Sequence, residues 1–252
     1  NTMTSQLAYL FCDQQLVVND HFELPALEAT QNELFLDHIA NQVIVRNISQ
    51  ATDIPDGFHL VPIRELIMRW SKTEFEKASR AKQLLEWRNN HRYCSRCGSA
   101  TQPHDTQLAM VCQSCHYYQY PRVQPCIITI IRRGDEILLA KSVHAKNDMY
   151  GLIAGFVEVG ETLEHAVARE TLEEIGIRLK NIQYLSSQPW PFPSNLMIAF
   201  SAEYESGELN LQEDEIADAG FFAIDALPVI PIQGSIAHQM IMDTITKIQS
   251  ES

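Results

Sequence analysis

The sequence predicts an α/β fold in three parts. These are an N-terminal α/β domain over residues 1–88, a small cysteine-knuckle domain over 89–122 and an α/β/α sandwich over 123–252. Three observations carry the prediction. Two C-x-x-C pairs stand between the outer parts. After them, short apolar runs alternate around a single glutamate-rich helix, the pattern of mixed strands enclosed by helices. Before them, short strand-like runs and two helical stretches carry no chemical motif.

Bulk properties narrow the function classes. A chain of 252 residues with 45% hydrophobic content is ordinary for a globular protein of one to three domains. No apolar run reaches the roughly 18 residues of a membrane span. The opening NTMTSQLAYLFCDQQ lacks a basic n-region and a long apolar core. No secretory signal is therefore expected, and the cytoplasm is the expected compartment. A net charge of −13 argues against a general nucleic-acid binder. The charge is uneven, however: Lys72 to Arg96 holds seven basic residues against three acidic.

In chain order, Leu7–Phe11, Leu16–Val18 and Gln42–Arg46 read as strands. Asp53 to Gly57 is a turn, and Pro62 to Met68 and Glu74 to Trp87 read as helices. This first domain is expected to be a scaffold or a dimerisation element.

Cys94-x-x-Cys97-Gly98 and Cys112-x-x-Cys115 are separated by 14 residues. That spacing is a zinc ribbon: two knuckles on hairpin turns whose four thiolates close a tetrahedral, structural Zn²⁺ site. Four cysteines suffice, so His104 and His116 read as surface. Cys12 and Cys126 stand alone in apolar surroundings and read as buried thiols. Tyr117 to Arg122 forms the junction to the next domain, and Tyr120, beside Pro121, offers a rigid stacking face.

Cys126–Ile131 is continuously apolar and reads as a strand buried on both faces. Arg132 to Asp135 turns the chain into a returning strand at Ile137–Ala140, and Leu152–Phe156 reads as another strand. The stretch Gly155 to Ile177 organises the domain. Thr162 is a candidate N-cap and Gly176 a C-terminal glycine, which brackets a helix. Ala168, Leu172 and Ile175 read as its apolar stripe. Glu170, Glu173 and Glu174 then share another face. Carboxylates that repel one another on one turn suit a solvated surface or a hard divalent cation such as Mg²⁺ or Mn²⁺. Further strands are expected at Ile182–Leu185, Leu196–Glu203 and Gly220–Ala223. Ala237, Ile241, Ile245 and Ile248 place an apolar face on a C-terminal helix.

The spacing G-x5-E-x7-R-E-x-x-E-E-x-G-I resembles the Nudix box. Thr171 departs from it, where the family has an aliphatic residue, and its hydroxyl is expected to face the core. Ser187-Gln188-Pro189-Trp190-Pro191-Phe192-Pro193-Ser194-Asn195 resembles the S-Q-P-W-P-F-P-x-S segment of NADH pyrophosphatases. Here Asn195 replaces the last serine. Alternating prolines make this segment stiff and extended. The resemblance spans about residues 89 to 252. It implies a Nudix α/β/α sandwich preceded by a zinc ribbon and an N-terminal α/β domain, assembled as a homodimer. It also implies hydrolysis of NADH or NAD⁺ to nicotinamide mononucleotide and AMP, and removal of NAD caps from RNA.

The resemblance further implies roles for single residues. Glu170, Glu174, Glu215 and the Ala154 carbonyl are expected to hold Mg²⁺ or Mn²⁺, with Glu173 assisting and Glu174 also activating water. Phe156 stacks on a ring of the dinucleotide. Gln188 through Asn195, Tyr120, Ala237 and Arg64 contact substrate, and Glu161 pairs with Arg169 to hold the loop against the helix. Two other readings stand beside this one: a Nudix hydrolase of another nucleoside diphosphate such as ADP-ribose, and a non-enzymatic zinc-ribbon nucleotide sensor.

Overall fold

The computed structural model describes residues 5–30, 34–35, 43–49, 53–145 and 147–251. Two compact units result: Asn1–Val123 with Pro191–Ser194, and Gln124–Trp190 with Asn195–Ser252.

In the first unit, strands β1 (Gln6–Cys12), β2 (Gln15–Val18), β3 (Ala26–Leu27), β4 (Leu34–Phe35), β5 (Ile44–Asn47) and β6 (His59–Pro62) form one sheet. Its order is β4-β5-β1-β2-β6, with β3 on β1. The expected strands at 7–11, 16–18 and 42–46 correspond to β1, β2 and β5; Gln42 lies outside the described residues. The sheet buries Ala8, Leu10, Val17 and Ile44. Helix α1 (Ile63–Leu66) is a single turn, shorter than the sequence suggests. Helix α2 (Lys72–Asn90) is longer, because Ser71 and Glu74 form a reciprocal capping box at its start. Lys82 does not belong to the exposed basic set: it is 4% exposed and ion-pairs with Glu86.

The cysteine knuckles sit on a three-stranded sheet of β7 (Thr101–Pro103), β8 (Met110–Cys112) and β9 (Tyr118–Gln119). The two knuckles close in the same way. Gly98 N–H donates to the Cys94 carbonyl at 2.9 Å and His116 N–H to the Cys112 carbonyl at 3.2 Å. Both residues have a positive φ, of 77° and 54°. Glycine suits that turn; His116 takes it with a side chain.

The second unit is built on β10 (Gln124–Arg133), β11 (Glu136–Ser142), β12 (Ile153–Phe156), β13 (Arg178–Trp190), β14 (Asn195–Ser206) and β15 (Ile216–Ala223). The order is β13-β14-β10-β11-β15, with β12 on β10. Strand alternation explains the uninterrupted apolar run in β10. Ile127 and Ile131 pack with residues of helix α3 (Leu163–Ile175), whereas Ile128 and Ile130 pack with helix α4 (Ile236–Glu251). The sheet therefore lies between two helices, the expected α/β/α sandwich. On α4, Ile241 and Ile248 are fully buried, as their spacing requires.

Two expectations need correction. The buried face of α3 is Ala166, Val167, Thr171, Glu174 and Ile175. Ala168 is exposed and Leu172 is 42% exposed. A stripe counted on apolar residues alone misplaces this face, because the face contains a hydroxyl and a carboxylate. The strand expected at Ile182–Leu185 is also longer than its apolar run suggests, for β13 continues into the proline segment. Ser187 to Trp190 continue β13 in antiparallel register with Asn195 to Ile198 of β14, so only Pro191–Ser194 form the hairpin tip. β13 is an edge strand, where Pro189 need not donate to a neighbour. The Phe192–Pro193 peptide bond is cis.

Candidate active site

The carboxylate site begins with local helix chemistry. Thr162 Oγ1 accepts from His165 N–H at 3.2 Å, and Gly176 ends α3 with φ 77°, so both caps are where the sequence places them. Between the caps, one side chain organises the rest. Arg169 donates to Glu161 through Nε at 2.8 Å and Nη2 at 2.9 Å. It also donates to Glu170 Oε1 at 2.9 Å, Glu173 Oε2 at 3.0 Å and the Phe156 carbonyl at 3.0 Å. This guanidinium fork ties the loop before α3 and the end of β12 to the helix. The hydrogen bonds from Arg169, and then the Glu158 backbone N–H, hold the Glu161 carboxyl at about 2.

Glu174 has the opposite environment. It is 6% exposed, and burial followed by the charges of Glu170, Glu215 and Glu173 pushes its carboxyl up to about 8. Burial also raises Glu170, against the pull of Arg169. Beneath them, burial and then Glu170 and Glu174 push the Cys126 thiol up to about 11.

Ala154, Glu174 and Glu215 line one cleft of about 220 Å³, bordered by Ser142, Met149 and Gly151. Glu170 approaches from the other side of the strand end. Its carboxylate occupies the space over Gly155 where a Cβ would stand. Among the described residues no three of these carboxylates place their oxygens within 4.8 Å of one another; the four cysteines do. Arg169 accounts for part of that spacing, since it draws Glu170 and Glu173 to itself. The donor set still fits a hard divalent cation: a buried carboxylate whose charged neighbours are all carboxylates, with a backbone carbonyl strand beside it.

The cysteine site is compact. Cys94 and Cys115 Sγ are 3.7 Å apart and Cys97 and Cys112 Sγ 3.4 Å. Tetrahedral Zn²⁺ with bonds of about 2.3 Å spaces its sulfurs by roughly 3.8 Å. Backbone N–H groups of Arg96, Ser114 and Cys115 donate to Cys94 or Cys112 Sγ at 3.4 Å, the outer contacts that orient thiolate ligands.

The remaining sequence candidates fall in several places. Phe156, at the end of β12, and Tyr120 are exposed. Arg64 places its guanidinium carbon 4.8 Å over the Phe192 ring, a cation–π contact within the first unit. Ala237 packs against the α4 core cluster. Gln188 is buried and its amide is already engaged: Nε2 donates to the Gly234 carbonyl at 2.9 Å and Oε1 accepts from Ile236 N–H at 2.8 Å. Pro191 and Asn195 are buried; Pro189, Trp190, Phe192 and Ser194 are half-buried and Pro193 is exposed.

One residue was not singled out from sequence. Gln119 is buried, and its Oε1 accepts from Ser95 N–H at 2.8 Å while Nε2 reaches the His91 and Tyr93 carbonyls. It fastens the first knuckle to β9. Its place between two exposed tyrosines in an alternating strand is the one available signal.

Comparison with known proteins gives the family. Residues 121–242 match the NUDIX domain family and residues 89–120 the NADH pyrophosphatase zinc ribbon domain. The chain is 48% identical over 177 residues to the NAD-capped RNA hydrolase NudC of Citrobacter koseri, covering 70% of this chain and 69% of that protein. The protein of the same name from Escherichia coli matches to the same extent. Among solved structures, a NUDIX hydrolase from Nitrosomonas europaea is 26% identical with a TM-score of 0.51, covering 64% of this chain and 91% of that one. The chain belongs to the Nudix hydrolases, in the branch that carries an NADH pyrophosphatase zinc ribbon.

Proposed function

We propose that this protein hydrolyses the pyrophosphate of NADH and NAD⁺ to nicotinamide mononucleotide and AMP, and that it removes the same dinucleotide cap from RNA. The observation that carries the reading is Glu174: a buried carboxyl among three other carboxylates, facing a cleft shared with Ala154 and Glu215. Held by Glu170, Glu174, Glu215 and the Ala154 carbonyl, with Glu173 assisting, Mg²⁺ or Mn²⁺ would neutralise the diphosphate and acidify water.

The chain's own residues supply the rest. Glu174 is assigned to take the proton of the attacking water beside the cation, which would keep its carboxylate ionised. Arg169 and Glu161 hold the strand end and helix in register, an orienting role. Phe156 offers a ring for stacking. Trp190 to Asn195, with Arg64 over Phe192, give the nicotinamide mononucleotide side a stiff wall, which lowers the ordering cost of binding. The amide of Gln188 secures that wall, and Ala237 is assigned to substrate on the family resemblance. Tyr120 is assigned to substrate on the family resemblance. Zn²⁺ on Cys94, Cys97, Cys112 and Cys115 is structural.

The capped-RNA reading draws on the relatives' name and on the basic segment around α2, less the buried Lys82. We also assign a homodimer, on the family resemblance, and the cytoplasm, where paired C-x-x-C motifs favour metal over disulfide. No helix among the described residues is long and apolar enough to cross a membrane.

The test is a substrate panel of NADH, NAD⁺, NAD-capped RNA and ADP-ribose with Mg²⁺ or Mn²⁺, scored by product identity. ADP-ribose cleaved while NADH persists would overturn the assignment. Glu174→Gln should lower kcat by about 10²–10⁴-fold with the circular dichroism spectrum unchanged. A folded, fully active Gln variant would remove Glu174 from its role, and a wild-type protein that binds but cleaves nothing would revive the sensor reading.

A further inference from the structure

Beside Tyr120, the ribbon carries aromatic side chains that the dinucleotide reading does not use. Four of the chain's eight tyrosines, Tyr93, Tyr117, Tyr118 and Tyr120, fall within it, and all four are exposed. Tyr118 in β9 and Tyr120 just after it are both exposed, with buried Gln119 between them. The rings of His104, Tyr118 and Tyr120 form a row. His104 and Tyr118 have centroids 5.5 Å apart, and Tyr118 and Tyr120 6.2 Å apart with planes 24° from parallel.

The row is fixed from within the ribbon. The Tyr120 hydroxyl donates to Gln107 Oε1 at 3.1 Å, and His104 Nδ1 accepts from Thr106 and Gln107 N–H at 3.2 and 3.1 Å. Beside it, the Arg96 guanidinium carbon stands 5.9 Å over the Tyr117 ring.

Charge narrows the occupant. Residues 89–122 contain three arginines, one aspartate and neither lysine nor glutamate, within a chain of net charge −13. Four thiolates around Zn²⁺ bring back two negative charges, which leaves the ribbon near neutral. It is thus a surface where phosphate is tolerated rather than strongly attracted, and stacking has to lead. Exposed π faces with an arginine close by suit unpaired nucleobases, because every base has a face to stack.

We propose that His104 and Tyr118, with Tyr117 and Arg96, extend the Tyr120 face into a stacking platform for the unpaired RNA bases that follow a dinucleotide cap. This rests on the capped-RNA reading above and adds the surface that would separate RNA from free dinucleotide.

The experiment compares wild type, Tyr118→Ala and Tyr118→Phe on two substrates: an unstructured NAD-capped decanucleotide and NADH, at one Mg²⁺ concentration. Zinc content and solution mass are measured for each protein. Tyr118→Ala should raise KM for the capped RNA roughly 5- to 100-fold, the range for loss of one stacked base, and leave kcat/KM for NADH unchanged. Tyr118→Phe keeps the ring and should keep RNA affinity. The proposal is overturned if both substrates lose activity together, if neither changes, or if Tyr118→Ala alters the solution mass, which would mean that the ring packs against a second copy. A wild type that cleaves NADH but not capped RNA also removes it. A wild type that cleaves neither defeats the proposed function itself.

Discussion

Gly155→Ala tests the site most directly, because its effect follows from geometry. Gly155 lies in β12 opposite Ile127 of β10, and the Glu170 carboxylate rests where a Cβ would project. To regain ordinary contact of 3.4 Å or more, that carboxylate must retreat by more than about 1 Å. The clash is with the far end of a flexible side chain, so the fold should tolerate it, and alanine in a strand costs less backbone entropy than glycine. A displacement of about 1 Å in a group that positions reactants is worth about 10²-fold in rate. We expect kcat/KM for NADH to fall by about that factor while the melting temperature moves by only a few degrees. The sharper measurement is a double-mutant cycle. On a Glu170→Ala background the obstructed carboxylate is gone, so adding Gly155→Ala should cost almost nothing further. Full additivity of the two losses, or an active Gly155→Ala enzyme, would refute the cradle.

Other outcomes follow from single contacts. Thr171 Oγ1 is buried without a hydrogen-bond partner, so Thr171→Val should stabilise the protein by about 1 kcal/mol in denaturant titration. Glu161 is held at about 2, below its ordinary 4.5, so its contribution to stability is present above pH 4.5 and is lost as pH falls towards 2. Glu161→Gln should flatten that part of the acid-unfolding profile; an unchanged profile would detach Glu161 from Arg169. Cys97→Ser should release Zn²⁺, measured as metal per chain, and open residues 89–122 to proteolysis.

Features written in local chemistry could be read from the sequence. The caps of α3 are each one residue acting on its own turn, and Thr162 and Gly176 sit where they were expected. The cysteine spacing likewise fixes a cluster whose sulfurs meet in space. What failed depended on tertiary context. Of the apolar stripe assigned to α3, Ile175 is buried, but Ala168 and Leu172 missed because the buried side of the helix holds Thr171 and Glu174, which hydropathy counts as surface. The continuation of β13 to Trp190 was hidden by prolines, which are tolerated there only because the strand lies at the sheet edge. Lys82 looked like part of a basic patch, although Phe75, Ala78 and Leu85 share its helical face, which α2 turns inward. Gln119 shows only the alternation of its short strand, and the backbone contacts of Gln188 show no signal; single amides that bridge distant backbone are visible only after folding.

Gln188 has a consequence of its own. Because one amide clasps both the Gly234 carbonyl and the Ile236 N–H, the last residues of β13 and the first turn of α4 behave as a single stapled joint. The aromatic hairpin grows directly from that joint. A lesion near Gly234, some forty residues away along the chain, should therefore loosen the wall against which a nicotinamide would rest, without touching any residue of that wall.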